Sequence, residues 1–131
     1  MSYRIVIVED SPEMVESLTE VFRRELGDVE IVVSGFDNAA QIIANAMPDV
    51  VVLDIFDDQV EKHPEDGVKP AWHYVWKEHF CPVVFHSAHE VDEYRQLGHQ
   101  FTRYEIKSPN SQRRVADHIK SFAPQIEGLR G

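Results

Sequence analysis

Hydrophobic and polar positions follow two rhythms along this chain. Short unbroken apolar runs, Ile5-Val6-Ile7-Val8, Val50-Val51-Val52-Leu53 and Val83-Val84-Phe85, read as strands buried on both faces. Glu30-Ile31-Val32-Val33 reads as a second strand in chain order, and residues 102–106 as a weaker fifth. Between the strands, apolar residues recur at helical spacing. Ser11 can cap a first helix with Pro12 at its first position; Val15, Leu18, Phe22 and Leu26 form its stripe, and Gly27 marks the stop. Asp37 can cap a second helix, carried by Ala40, Ile43 and Met47 until Pro48. Pro70 can start a third, with Trp72, Val75, Trp76 and Phe80 on one face. A short helix from about Val91 to Leu97 stops at Gly98. The last runs from about Ser111 to Phe122, packing Val115, Ile119 and Phe122 before Pro124.

Strands and helices in strict alternation imply a parallel sheet covered by helices on both faces. Right-handed crossovers then make an α/β fold, a doubly wound three-layer α/β/α sandwich on a five-stranded parallel sheet. In such sheets ligands bind outside the carboxyl ends of the strands, near the point where strand order reverses. Glu9, Asp10, Asp54, Ser87 and Lys107 all fall at or just past those ends. The stretch from Phe56 to Asp66 is polar, contains Pro64 and shows no period, so it reads as a long loop beside Asp54. It is either a solvated insertion or a lid that selects partners.

Length and charge narrow the function classes. A chain of 131 residues fits one domain with a real core, placed at 1–123, with 124–131 read as a C-terminal tail or truncated linker. The formal net charge of -10 disfavours direct binding to nucleic acid. No apolar run approaches the roughly 18 residues of a membrane span, and no signal-peptide pattern precedes the first strand, so the expected location is cytoplasmic. Cys81 is the single cysteine, which excludes an internal disulfide, and it is expected to pack beneath the fourth strand. The histidines sit on different elements with no helical metal-binding spacing, which argues against a dedicated histidine metal site. Trp72 and Trp76 read as helix-packing residues.

Two strands that end in acid are hard to explain by stability, because clustered carboxylates repel one another. A divalent cation relieves that repulsion, since hard cations favour oxygen ligands. Taken singly, Asp54 could cap a turn, Glu9-Asp10 could be a solvated turn, and Lys107 and Ser87 could be ordinary strand-end residues. Their order and spacing give them weight.

With Glu9-Asp10 after the first strand, Asp54 after the third, Ser87-Ala88 after the fourth and Lys107 after the fifth, the sequence resembles a response-regulator receiver domain of two-component signalling. The resemblance covers residues 3–122 and includes Tyr104, three positions before the lysine, at the family's aromatic switch position. It implies a flavodoxin-like strand order 2-1-3-4-5. It also implies that Asp54 accepts a phosphoryl group from a phosphohistidine on a histidine kinase or histidine phosphotransfer protein. Mg²⁺ would be held by Asp10, Asp54 and the backbone carbonyl of Phe56, with Glu9 on a metal-bound water. Lys107 and Ser87 would engage phosphoryl oxygens, and Ser87 and Tyr104 would switch the face made by the fourth helix, fifth strand and last helix. The signal would pass to a downstream protein target or fused output domain, or into a phosphorylation-dependent homodimer. Such a domain catalyses only its own phosphorylation and slow hydrolysis.

The chain departs from the family in two places. Ser108 stands between Lys107 and Pro109, where receivers carry proline directly after the lysine. The loop after Asp54 is longer than the family's turn and holds two further acids, Asp57 and Asp58, which either tighten cation binding or repel phosphoryl donors. Phe56 and His89, each two residues past a site residue, are expected to flank the mouth of the site and hinder attacking water. These departures sustain an alternative, a pseudo-receiver that binds partners without phosphorylation. A haloacid-dehalogenase-type phosphatase needs an aspartate where Phe56 stands, and neither GxGxxG nor GxxxxGK occurs to support a nucleotide site.

Overall fold

The computed structural model describes residues 2–56, 64–97 and 99–131. The long-loop expectation, with Asp57 and Asp58, and the helix stop at Gly98 therefore fall wholly or partly outside the described residues. The elements alternate as β1 (Tyr3–Val8), α1 (Pro12–Leu26), β2 (Val29–Ser34), α2 (Ala39–Ala46), β3 (Val50–Leu53), a 3₁₀ turn at Pro64–Gly67, α3 (Lys69–Lys77), β4 (Val83–Ser87), α4 (Asp92–Arg95), β5 (Thr102–Ile106), α5 (Ser111–Ser121) and α6 (Ala123–Arg130). All five strands form one parallel sheet in the order β2-β1-β3-β4-β5. This is the three-layer α/β/α architecture expected from the alternation. Strand order reverses between β1 and β3, so the crevice outside their carboxyl ends lies where Glu9 and Asp54 emerge.

The unbroken apolar runs are explained by what covers each face. In β1, Ile5 and Ile7 point into one core layer while Val6 and Val8 point into the other. In β3, Val50 and Val52 share the first layer, Val51 and Leu53 the second. Leu18 and Phe22 of α1 and Val115 and Ile119 of α5 close one side; Ile43 of α2 and Trp72 and Val75 of α3 close the other. Phe22 is fully buried, so Phe22→Ala would cost about 3–5 kcal/mol through lost burial and the cavity left behind. Cys81 is buried in the second layer. Among the described residues no helix is long and apolar enough to cross a membrane.

The helix ends show where local signals held and where packing overrode them. Ser11 accepts a hydrogen bond from the Met14 backbone N at 3.4 Å with Pro12 at the first position, as expected. Gly27 ends α1 at φ 78°, a conformation that side-chain-bearing residues avoid. Asp37, by contrast, does not cap α2. The helix begins at Ala39 behind Asn38, without a side-chain cap, because the turn closes through Ala39 N and Phe36 O. Met47 leaves the helix at φ 48° and is exposed, since Pro48 bars the residue before it from helical geometry. Phe80 follows α3 rather than extending its face, and its ring packs against Trp76 and Phe101. The fourth helix is confined to Asp92–Arg95, shorter than its periodicity suggested. Residues 124–131, read from sequence as a tail or truncated linker, fall largely in α6 (Ala123–Arg130), with Ile126 buried in the first core layer. Pro124 opens that helix rather than ending structure, because a proline costs nothing in a first turn, where its missing N–H has no partner to lose.

Candidate functional site

The backbone of the sheet delivers the site residues. Just beyond the strands, Glu9 N donates to Ser34 O at 2.9 Å, Asp54 N to Val8 O at 2.9 Å and Lys107 N to Ser87 O at 2.8 Å. These three residues are therefore fixed by the same ladder that makes the fold, and their side chains start from rigid positions. Glu9 and Asp54 are buried and Asp10 is exposed.

Carboxylate oxygens of Glu9, Asp10 and Asp54 lie within 4.8 Å of one another. Among the described residues, one cation reaches into the group. Lys107 Nζ donates to Glu9 Oε1 at 2.5 Å and to Asp54 Oδ2 at 3.2 Å. Of the two acids, Glu9 lies at the shorter distance from Lys107. Burial and the neighbouring Asp54 together push the Glu9 carboxyl up to about 8, against the pull of Lys107. Burial opposes the charge on Lys107, but the two carboxylates outweigh it and raise its pKa. Among the described residues, one ammonium thus serves two buried acids, with the exposed Asp10 beside them. Glu9, Asp10 and Asp54 supply the hard oxygen donors that a small divalent cation requires.

The remaining expected residues surround this centre. Phe56 N donates to Asp54 Oδ1 at 3.3 Å, which braces the carboxylate from the loop side. The rings of Phe56 and His89 stand 4.5 Å apart between centroids. Ser87 is fully buried at the end of β4, and its Oγ accepts from His89 N at 3.2 Å. Tyr104 donates its hydroxyl to His89 O at 2.6 Å and accepts from Val91 N at 3.1 Å, so it ties β5 to the loop after β4. It also borders a cavity of about 650 Å³ lined by Tyr94, Arg95, Arg103 and Glu105 on the face formed by α4 and β5.

Two residues beside the site were not singled out from sequence. His86 is buried on β4, and its Nε2 lies 2.8 Å from Ser111 Oγ at the start of α5. Burial lowers the His86 pKa to about 4, so the ring is neutral near pH 7. The signal for this pair was present: strand alternation sends His86 to the face opposite Ser87, towards the last helix. A histidine inside an apolar strand needs a partner there.

No protein-family profile matches the sequence, and no curated protein sequence matches it significantly. Solved structures do match. A two-component transcriptional regulator AraC from Clostridium phytofermentans superposes with a TM-score of 0.71 at 22% identity, covering 97% of this chain and 96% of that one. The response regulatory domain of mrkE from Klebsiella pneumoniae gives 0.70 at 22% identity, covering 95% and 98%. The chain has the receiver-domain fold of response regulators. The response regulator PhyR from Brucella abortus gives 0.73 at 20% identity; 99% of this chain spans 51% of that longer protein.

Proposed function

We propose that this receiver fold is a phosphoacceptor signalling domain, with Asp54 as the nucleophile. The observation that carries the reading is the placement of a buried Asp54 carboxylate between Lys107 and two further acids at the sheet's switch point. An Asp54 oxygen attacks the phosphorus of a phosphohistidine on a histidine kinase or histidine phosphotransfer protein. The P–N bond breaks, its electrons return to the imidazole, and an acyl phosphate forms on Asp54. Such transfer depends mainly on positioning and on neutralising phosphoryl charge.

The donor set fits Mg²⁺, which Asp10, Asp54 and the Phe56 carbonyl would hold, with Glu9 on a bound water. The cation would supply charge neutralisation at the phosphoryl oxygens. Lys107 stays ionised beside its carboxylates and takes one phosphoryl oxygen; the Ser87 hydroxyl donates to another. When Ser87 turns towards the phosphate, Tyr104 gives up its bonds to His89 and Val91 and rotates inward. That motion remodels the face of α4, β5 and α5, which a downstream protein, a fused output domain or a second copy then reads. Phe56 and His89 shield the acyl phosphate from water. The domain is a signalling module rather than a metabolic enzyme.

One observation favours the pseudo-receiver reading. Lys107 is closer to Glu9 than to Asp54, in a turn where Ser108 precedes Pro109. Beryllofluoride with Mg²⁺, or acetyl phosphate with Mg²⁺, separates the two. A mass increase or fluoride signal that Asp54→Asn abolishes supports the phosphoacceptor. A protein that stays unmodified at millimolar Mg²⁺ is the pseudo-receiver.

A further inference from the structure

The turn that carries Lys107 is held by an unusual hub. Ser111 Oγ, with no exposed surface, makes three contacts. It accepts from Ser108 N at 3.0 Å, donates to Ser108 O at 2.9 Å and meets His86 Nε2 at 2.8 Å. A hydroxyl has one proton and two lone pairs. All three contacts are satisfied together only if His86 carries its proton on Nε2 and donates it. The hydroxyl proton then goes to Ser108 O, and both lone pairs are filled.

The position of this hub matters more than its strength. Lys107 N is already held by Ser87 O at 2.8 Å. The next residue, Ser108, is gripped at both its N–H and its carbonyl by Ser111, whose own backbone N also donates to Ser108 O at 3.1 Å. His86 anchors Ser111 to β4, one residue before Ser87. The base of the Lys107 side chain is thus pinned from both sides to the strand that carries Ser87. Arg114 adds an outer strap to the Ser108 hydroxyl at 2.5 Å.

We propose that His86 and Ser111 are positioning residues that fix the turn after β5 and thereby aim the Lys107 ammonium at Asp54. The proposal rests on the phosphoacceptor reading for its consequence, and on hydrogen-bond geometry for its structure. The pair does the work of a rigid turn in a segment where a serine separates lysine from proline.

The test follows phosphorylation of the full chain by acetyl phosphate and Mg²⁺, with rates measured by mass spectrometry. Ser111→Ala and His86→Phe each lower the rate about tenfold, because small misplacements of a charged group near a reacting centre are costly. His86→Gln, which restores an N–H donor near Nε2, stays within about twofold of the parent. In a Lys107→Ala background, Ser111→Ala has no further effect beyond about twofold, because its action runs through the lysine. A loss of equal factor in both backgrounds, or no loss in the parent, overturns the proposal. A second readout needs no phosphorylation. Nitrogen-resolved NMR of the histidine rings shows His86 as the Nε2–H tautomer, and Ser111→Ala shifts the Lys107 ε-methylene signals. An Nδ1–H tautomer or unmoved lysine signals overturn the clamp even in a folded variant. A parent protein that shows both signatures yet takes no phosphoryl group or beryllofluoride overturns the phosphoacceptor reading and leaves the clamp standing.

Discussion

At the amino end of the sheet, Asp49 accepts two hydrogen bonds from Arg130, at 2.7 and 3.1 Å, and one from Arg4 N at 2.8 Å. At the carboxyl end, Glu9, Asp10 and Asp54 gather, and Lys107 pairs with Glu9 and Asp54. Burial works to raise the pKa of Asp49, yet Arg130 and the Arg4 backbone outweigh it and lower it. For Glu9 the balance goes the other way, and its carboxyl rises to about 8. One edge compensates its charge and staples α6 to the start of β1, since Arg130 also reaches Ser2 O at 2.7 Å. Among the described residues, the other edge gathers three acids against one ammonium. A charge imbalance that a fold retains in a shielded crevice is a sign of chemistry rather than of stability.

This contrast breaks most sharply at Asp54. Asp54→Asn is expected to abolish phosphoryl uptake from acetyl phosphate, a loss of about 1,000-fold or more for a missing nucleophile. It should leave the urea midpoint equal or higher, because it relieves repulsion with Glu9. A lower midpoint would mean that the carboxyl edge is built for stability after all.

The underside of the same edge gives the next largest effect. His86 is neutral in the fold with a pKa near 4, whereas an unfolded histidine titrates near its usual value of 6.5. At this group the unfolded chain binds a proton first, so the His86 contribution to stability falls as pH drops from about 6.5 to 4, by up to about 3 kcal/mol. Glu9, raised in the fold, contributes the opposite slope as pH drops from about 8. Urea unfolding of the parent and of His86→Phe at pH 7 and pH 4.5 isolates the histidine's share, because Glu9 contributes equally to both. The variant should keep more stability than the parent on going to the lower pH. A variant as acid-sensitive as its parent would assign the effect elsewhere.

Lys107→Ala comes third. It leaves the buried Asp54 carboxylate, and the Glu9 carboxyl beside it, without their cation, and the expected cost is about 2 kcal/mol at pH 7. Millimolar Mg²⁺ should restore part of that loss if the acids bind the cation. Unfolding with and without the ion decides it.

The smallest change belongs to the amino edge. Arg130→Ala removes a partly exposed pair that water already screens, so about 0.5 kcal/mol is expected, and less in high salt. A much larger, salt-insensitive loss would show that α6 is held by that pair rather than by Ile126.

Much of the carboxyl edge was legible in the chain because its signals are local. Three or four apolar residues followed by acid, as in Val50 to Asp54, mark both a buried strand and what leaves its end. The amino edge was not legible. Arg130 and Asp49 are 81 positions apart, and Pro124 looked like an ending until Ile126 found a core to enter. The short fourth helix and the uncapped second one were misjudged for a related reason. Their bounds are set by neighbours, whereas periodicity reports only which residues could share a face.

Hydrophobic patterning alone determined five strands, the burial of three of them on both faces and the side of the sheet where Glu9, Asp54, Ser87 and Lys107 collect. The 2- and 3.6-residue periods encode direction and burial within each segment, and strict alternation leaves few ways to assemble the segments. Tertiary structure decided the rest: that Lys107 lies nearer Glu9 than Asp54, that His86 meets Ser111 across 25 residues, and that the last residues fold back as α6. Those outcomes turn on ångström-scale distances between side chains remote in sequence, which packing fixes only after the sheet has formed.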